Sequence, residues 1–253
     1  TDHQIGGQPG AVAAEYQGRQ MTYGELDVAA NRVAAVLRAH GVRRGDAVCL
    51  YLHRCLPMVV GIVAAMRVGA AYVPQHVGVA PPAMLRYIAR ASGAAVILTL
   101  RDLAPQIPLE HRQCVVAVDD AMADEAMDAP VPVGAGATAA PDDLAMILFT
   151  SGTTGVPNGV RVTHRNLCNI LQTAPGDLGM APGMKVAQVL SIAFDMAAWE
   201  TLGALSNGAT LVIRGKSIQE TAEQVDVLIA TPSILASLDA TRCRQVKVVA
   251  VAG

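Results

Sequence analysis

A run of small side chains, Thr150-Ser151-Gly152-Thr153-Thr154-Gly155-Val156-Pro157-Asn158-Gly159, follows the apolar triplet Ile147-Leu148-Phe149. Its ten positions hold four hydroxyls and three glycines. Glycines let successive backbone N–H groups turn toward one point, and Ser and Thr hydroxyls add donors around it. A nest of this kind suits a chain of phosphates; the competing reading is an ordinary surface turn. The spacing is not that of a Walker loop, which needs G-x-x-x-x-G-K-[ST].

The second chemical position is Asp195, directly after an apolar stretch and Phe194. A carboxylate there is costly to bury unless a cation meets it. As the N-cap of a helix through MAAWETL it would complement the helix dipole and still keep one oxygen free. Both roles stay open on the residues alone.

These groups need a frame, and the chain alternates helix and strand. Thr22-Tyr23-Gly24-Glu25 reads as a capping box, followed by Leu26, Ala29, Ala30, Val33, Val36 and Leu37 at helical spacing, with Gly41 as the stop. Strands are predicted at 47–52, 70–73, 95–99, 144–149, 160–162, 186–190, 209–213, 227–230 and 246–251. Helices are predicted to open at Pro57, Pro81-Pro82, Pro232 and after Thr163, to run over 196–205, and to open at a second capping box, Ser217-Ile218-Gln219-Glu220. Such alternation implies crossovers and mostly parallel sheets flanked by helices, an α/β architecture of two stacked lobes. Residues 119–143 hold seven acidic residues, no basic one and three prolines, and read as a surface connection. The expected division is a first α/β subdomain over 1–118, the connection over 119–143, and a second subdomain over 144–253. The last strand runs directly into Gly253, so the chain is expected to be a fragment.

Composition narrows the class. Of 253 residues, 52% are hydrophobic and 16% charged, which excludes disorder. Nineteen Lys and Arg against 21 Asp and Glu give a net charge of −2 without a basic stripe, so nucleic acid is not an expected partner. The most apolar stretch, Cys55 to Met66, is short of the roughly 20 residues that span a bilayer, so no membrane partner is expected either. The scattered cysteines 49, 55, 114, 168 and 243 read as buried free thiols in a reducing cytoplasm, and no metal site is expected.

TSGTTGVPNG resembles the phosphate-loop motif of the adenylate-forming superfamily of acyl-CoA synthetases, luciferases and peptide-synthetase adenylation domains. MTYGEL at 21–26, VGAAYVP at 68–74 and AFDMAAWE at 193–200 resemble three further blocks, in the family's order. AYVP with FD is most similar to the amino-acid-activating branch of nonribosomal peptide synthetases. The resemblance implies ATP-dependent activation of an amino acid as its adenylate, with Mg2+, and transfer to a phosphopantetheine thiol on a carrier protein. It implies ATP phosphate contacts from Thr150, Ser151, Gly152, Thr153, Thr154, Gly155 and Asn158. It implies that Asp195 pairs with the substrate's ammonium, and that Met196, Trp199, Ala230 and Ala252 line the side-chain pocket.

The chain departs from the pattern at three places. Asn158 stands where the motif usually has lysine, so a neutral donor replaces a cation. Gln75-His76 replaces an apolar-acidic pair, and VGVAPPAML lacks the usual tyrosine-proline entry. The adenine-stacking aromatic, the magnesium glutamate, the ribose aspartate and the catalytic lysine of the resembled family have no counterpart before Gly253, so no catalytic residue is assigned within this stretch. The remaining part of the adenylation domain is therefore an expected partner, and the stretch alone is expected to be inactive. Two other readings stand beside this one: a stand-alone ligase for an aryl or β-amino acid, and a noncatalytic scaffold that keeps the fold.

Overall fold

The computed structural model describes residues 7–110, 112–127, 139–150 and 156–251. It is a mixed α/β structure with two six-stranded sheets. The chain begins with β1 (Val12–Tyr16) and β2 (Arg19–Thr22), joined by a hairpin in which Gln17 and Gly18 both take positive φ, 49° and 79°. That is the two-residue turn whose twist matches antiparallel strands. The sequence reading assigned neither strand, because each is too short for a clear alternation.

The first helix, α1 (Tyr23–Ala39), starts at the expected capping box. Glu25 accepts from the Thr22 amide at 2.7 Å, and the Glu25 amide donates to the Thr22 hydroxyl at 3.1 Å. Then come β3 (Ala47–Leu52), α2 (Leu56–Arg67), β4 (Ala71–His76), α3 (Pro82–Ser92), β5 (Val96–Thr99), β6 (Cys114–Ala117) and α4 (Val118–Ala123). Pro82 opens α3, and Gly93 at φ 71° closes it by donating to the Ala89 and Arg90 carbonyls. The segment before α3 is a turn with a bridge between Val77 and Ala80, placed by Gly78 at φ 86°.

The second half of the chain adds β7 (Leu144–Thr150), β8 (Asn158–Thr163), α5 (His164–Leu171), β9 (Lys185–Gln188), α6 (Asp195–Ser206) and β10 (Thr210–Ile213). The rest is α7 (Ile218–Ala222), β11 (Val227–Ala230), α8 (Pro232–Ala236) and β12 (Val248–Val251). Ser217 caps α7 and Thr231 caps α8, each accepting the amide three residues on.

Strand pairing departs from the division expected along the sequence. One sheet runs β12-β11-β9-β10-β1-β2, the other β6-β5-β3-β4-β7-β8. All neighbours are parallel except the two hairpins, β1 with β2 and β7 with β8. The compact units follow the sheets. One holds the chain through Leu26, Arg54–Leu56 and Cys168 onward; the other holds Asp27–His53 and Pro57–Leu167. A break at 119–143 therefore does not separate them. β7 and β8 belong with β3–β6 because a strand joins whichever ladder satisfies its backbone, a choice made by distant residues.

The acidic connection is partly built. Val118 and Ala121 of α4 are buried, and Arg101 holds Asp119 and Asp120 through its amide and guanidinium. Residues 128–138 lie outside the described residues. Cys49 and Cys55 are buried free thiols as expected, but Cys114 and Cys243 are half-buried and Cys168 is exposed on α5.

Candidate active site

In the sequence, the phosphate-loop candidates run from the end of β7 to the start of β8. Apolar residues bury β7 from Ala145 to Leu148, and its last residue, Thr150, is exposed opposite Asn158 in the antiparallel register. Thr150 and Asn158, on either side of that segment, are thereby set against each other. Ser151, Gly152, Thr153, Thr154 and Gly155 lie outside the described residues.

Two devices hold this hairpin. Gly159 lies under Phe149: a Cβ there would sit 3.1 Å from the Phe149 ring and 3.2 Å from Ile147. Tyr87 of α3 meets the Phe149 ring edge-on at 6.3 Å and 85° and donates to the Pro157 carbonyl at 3.1 Å. Helix α3 is fixed in turn by the buried Tyr51 hydroxyl of β3, which donates to the Leu85 carbonyl at 2.5 Å. At the other end of β7, Asp143 accepts from the Arg44 guanidinium at 2.6 Å and from the Ala140 amide at 2.7 Å. Arg44 holds the Asp143 carboxyl below its usual range. Sequence reading missed Tyr87, whose only signal is an aromatic on the half-buried face of an amphipathic helix.

His164 opens α5. It is half-buried, its Nε2 has no hydrogen-bond partner among the described residues, and burial lowers its pKa against the pull of Asp143. Arg165 beside it is exposed and pairs with Asp142 at 2.9 Å.

In the other unit, Asp195, Met196 and Trp199 share helix α6. Phe194 is the N-cap residue, with φ −112° and ψ 154°, no side-chain cap, and 65% exposure. Asp195 is thus the first helical residue and not the cap. It is exposed, and its Oδ1 accepts the Met196 amide at 2.8 Å. A carboxylate in this first turn complements the dipole from inside the helix and leaves its second oxygen for a cation. Met196 and Trp199 are both half-buried, three residues apart on one face. The Trp199 indole N–H donates to the Gly176 carbonyl at 2.6 Å, so this ring is anchored. Gly203 leaves the space beside it that Met180 fills; a Cβ would lie 3.2 Å from the Met180 sulfur. Ala230 is fully buried at the end of β11, in register with Val251, and Ala252 lies outside the described residues.

The group that sequence reading overlooked in this unit is Glu200, which has no exposure. Its carboxylate accepts the Val189 amide at 2.9 Å, the Leu190 amide at 3.2 Å and the Gln188 side-chain amide at 3.0 Å. Burial pushes its pKa up to about 8, against these donors and Arg54. Arg54 itself donates to the Val189 carbonyl at 2.8 Å, and its own pKa is lowered by burial and by Arg214. The available signal was a lone acid within the helical run AAWETL.

Among the described residues, no group of three or more His, Cys, Asp or Glu side chains is placed to hold a metal ion. No helix there is long and apolar enough to cross a membrane.

The described residues form two mostly parallel sheets flanked by helices, and the hydroxyl-and-glycine segment follows β7 in the sequence. The chain belongs to the family of AMP-binding enzymes, matched over residues 1–251. It is similar to adenylate-forming reductase 03009 of Coprinopsis cinerea, 40% identical over 253 residues, covering 97% of this chain and 24% of that protein. It is similar to the phosphinothricin tripeptide synthetase PhsC of Streptomyces viridochromogenes, 34% identical over 258 residues, covering 97% and 23%. The chain thus spans about a quarter of the length of these relatives. Among solved structures, the N-terminal subdomain of Klebsiella oxytoca NpsA matches with TM-score 0.87 and 24% identity, covering all of this chain and 66% of that one. At that identity the likeness concerns the fold.

Proposed function

We propose that this chain supplies the phosphate grip and one wall of the acid pocket in an enzyme that activates an amino acid as its adenylate. The observation that carries the reading is the β7–β8 hairpin. Its ladder sets Thr150 opposite Asn158, on either side of the hydroxyl-and-glycine segment whose amides and hydroxyls would hold a polyphosphate. In the reaction, a carboxylate oxygen forms a bond to the α-phosphorus of ATP, and the bond to the departing pyrophosphate breaks. The protein's work is to hold two anions together and to spread charge on the leaving group, which magnesium accompanying ATP assists. Thr150, Ser151, Gly152, Thr153, Thr154 and Gly155 are assigned to the phosphates, with Asn158 as a neutral donor. Asp195 is assigned to the substrate ammonium, and Met196, Trp199, Ala230 and Ala252 to its side chain. The adenylate would then pass to a carrier-protein thiol, in keeping with the peptide-synthetase relative.

A second reading follows from the 40% identical relative, which is an adenylate-forming reductase. It shares formation of the adenylate and ends in a reduction. Amino-acid-dependent exchange of labelled pyrophosphate into ATP, measured with the intact protein, tests the acid activated, and release of a reduced product separates the two. Exchange with α-amino acids and not with their desamino analogues is the expected result. Exchange with desamino or aryl acids alone overturns the amino-acid substrate, and no exchange with any acid leaves a noncatalytic scaffold.

A further inference from the structure

The carboxylate of Glu200 sits where strand β9 ends. Gln188 is the last strand residue, so the amides of Val189 and Leu190 have left the ladder while their side chains stay buried. Buried amides without partners each cost on the order of 1–3 kcal/mol. Glu200 reaches back across the loop and takes both, Val189 at 2.9 Å and Leu190 at 3.2 Å to one oxygen, with Leu190 also 3.3 Å from the other. Gln188 completes the set, giving one amide hydrogen to Glu200 at 3.0 Å and one to the Leu190 carbonyl at 2.7 Å. Arg54 donates to the Val189 carbonyl at 2.8 Å.

If space alone had to be filled, an apolar side chain would be the more stable choice, since an isolated buried carboxylate is costly. An acid is retained where its two acceptors do something that a hydrocarbon cannot. Here they tie a strand end to a helix. Glu200 lies one helical turn, about 5.4 Å, beyond Met196 on the same face of α6. The tethered loop from Val189 to Phe194 leads straight into Asp195, so the tether fixes both the entry to the helix and its rotation.

We infer that Glu200 is a positioning residue for the acid pocket: by binding the amides of Val189 and Leu190 it sets the depth and rotation of the first turn of α6, and with them Asp195 and Met196. This rests on the reading that α6 opens the pocket. It touches no substrate itself.

The test uses the intact protein and two variants. Glu200→Leu removes both acceptors; Glu200→Gln keeps one acceptor oxygen for the two amides. In pyrophosphate exchange, Glu200→Leu is expected to raise KM for the activated acid at least tenfold, with KM for ATP within twofold. Glu200→Gln is expected to stay within threefold of wild type for both. Equal rises in the two KM values, or no rise in either, overturn the inference. If the wild-type protein exchanges with no acid, the proposed function fails on its own, and amide hydrogen exchange then decides the inference. Val189 and Leu190 exchanging at least tenfold faster in Glu200→Leu, with β10 amides unchanged, supports it. Unchanged protection at those two amides, or equal loss of protection in β10, overturns it.

Discussion

The Tyr87 hydroxyl donates to the Pro157 carbonyl at 3.1 Å while its ring meets Phe149 edge-on, so one side chain of α3 grips both arms of the β7–β8 hairpin. The hairpin's geometry is thus set by a helix that contributes nothing to its sequence motif. Tyr87→Phe keeps the ring contact and drops the hydrogen bond, and is expected to lower the unfolding free energy by about 1 kcal/mol. Tyr87→Ala drops both, for about 2 kcal/mol, with a rise in KM for ATP larger than that for the acid. Urea unfolding and initial-rate kinetics check the two; a Tyr87→Ala protein with wild-type stability removes the anchor from the account.

Asn158 stands at the start of β8, exposed and opposite Thr150. A lysine there would offer the phosphates a charged donor, worth about 1.5–3 kcal/mol against about 0.5–1.5 kcal/mol for a neutral one. Asn158→Lys is therefore expected to tighten ATP binding about tenfold or more, read as KM for ATP in pyrophosphate exchange. No change, or weaker binding, would mean that position 158 does not face the phosphates.

Asp195 has one oxygen on the Met196 amide and sits exposed in the first turn of α6. If it meets an ammonium, Asp195→Ala removes a charge-assisted pair, and KM for an α-amino acid is expected to rise about tenfold to a hundredfold. The desamino analogue should then be activated no worse than by wild type. A parallel loss on both substrates would assign Asp195 to holding the helix.

Glu200 also links stability to pH. Its pKa in the folded protein, about 8, lies above the ordinary carboxylate value, so the folded state keeps a proton that the unfolded chain has released. Stability is therefore expected to fall as pH rises from about 5 to about 8 and to level off above, relative to Glu200→Gln, which has no proton to lose. Arg54 faces the carboxylate, and Tyr16 and Arg214 face Arg54. Cys55 lies beside Tyr16. Thermal unfolding of both proteins across that range checks the sign; a wild type that gains stability over Glu200→Gln with rising pH contradicts it.

Much of the local structure was legible because its causes are local. The Thr22–Glu25 box, Pro82 and Gly93 around α3, and the caps at Ser217 and Thr231 each act within four residues, and each element begins or ends where those rules put it. The hydroxyl-and-glycine segment and the Phe194-Asp195 pair stand out by residue type and order alone, and the chemistry assigned to them is what the exchange assays test. Which ladder a strand joins was not. β1 and β2 pair beside β10, and β7 beside β4, through hydrogen bonds between residues far apart in the chain. Nor was the weight of Glu200, which reads as one more acid on a helix until the fold buries it under a strand end. Short-range sterics and hydrogen bonding are written in neighbouring residues; burial and strand partnership depend on what the rest of the chain brings alongside, and only tertiary structure decides them.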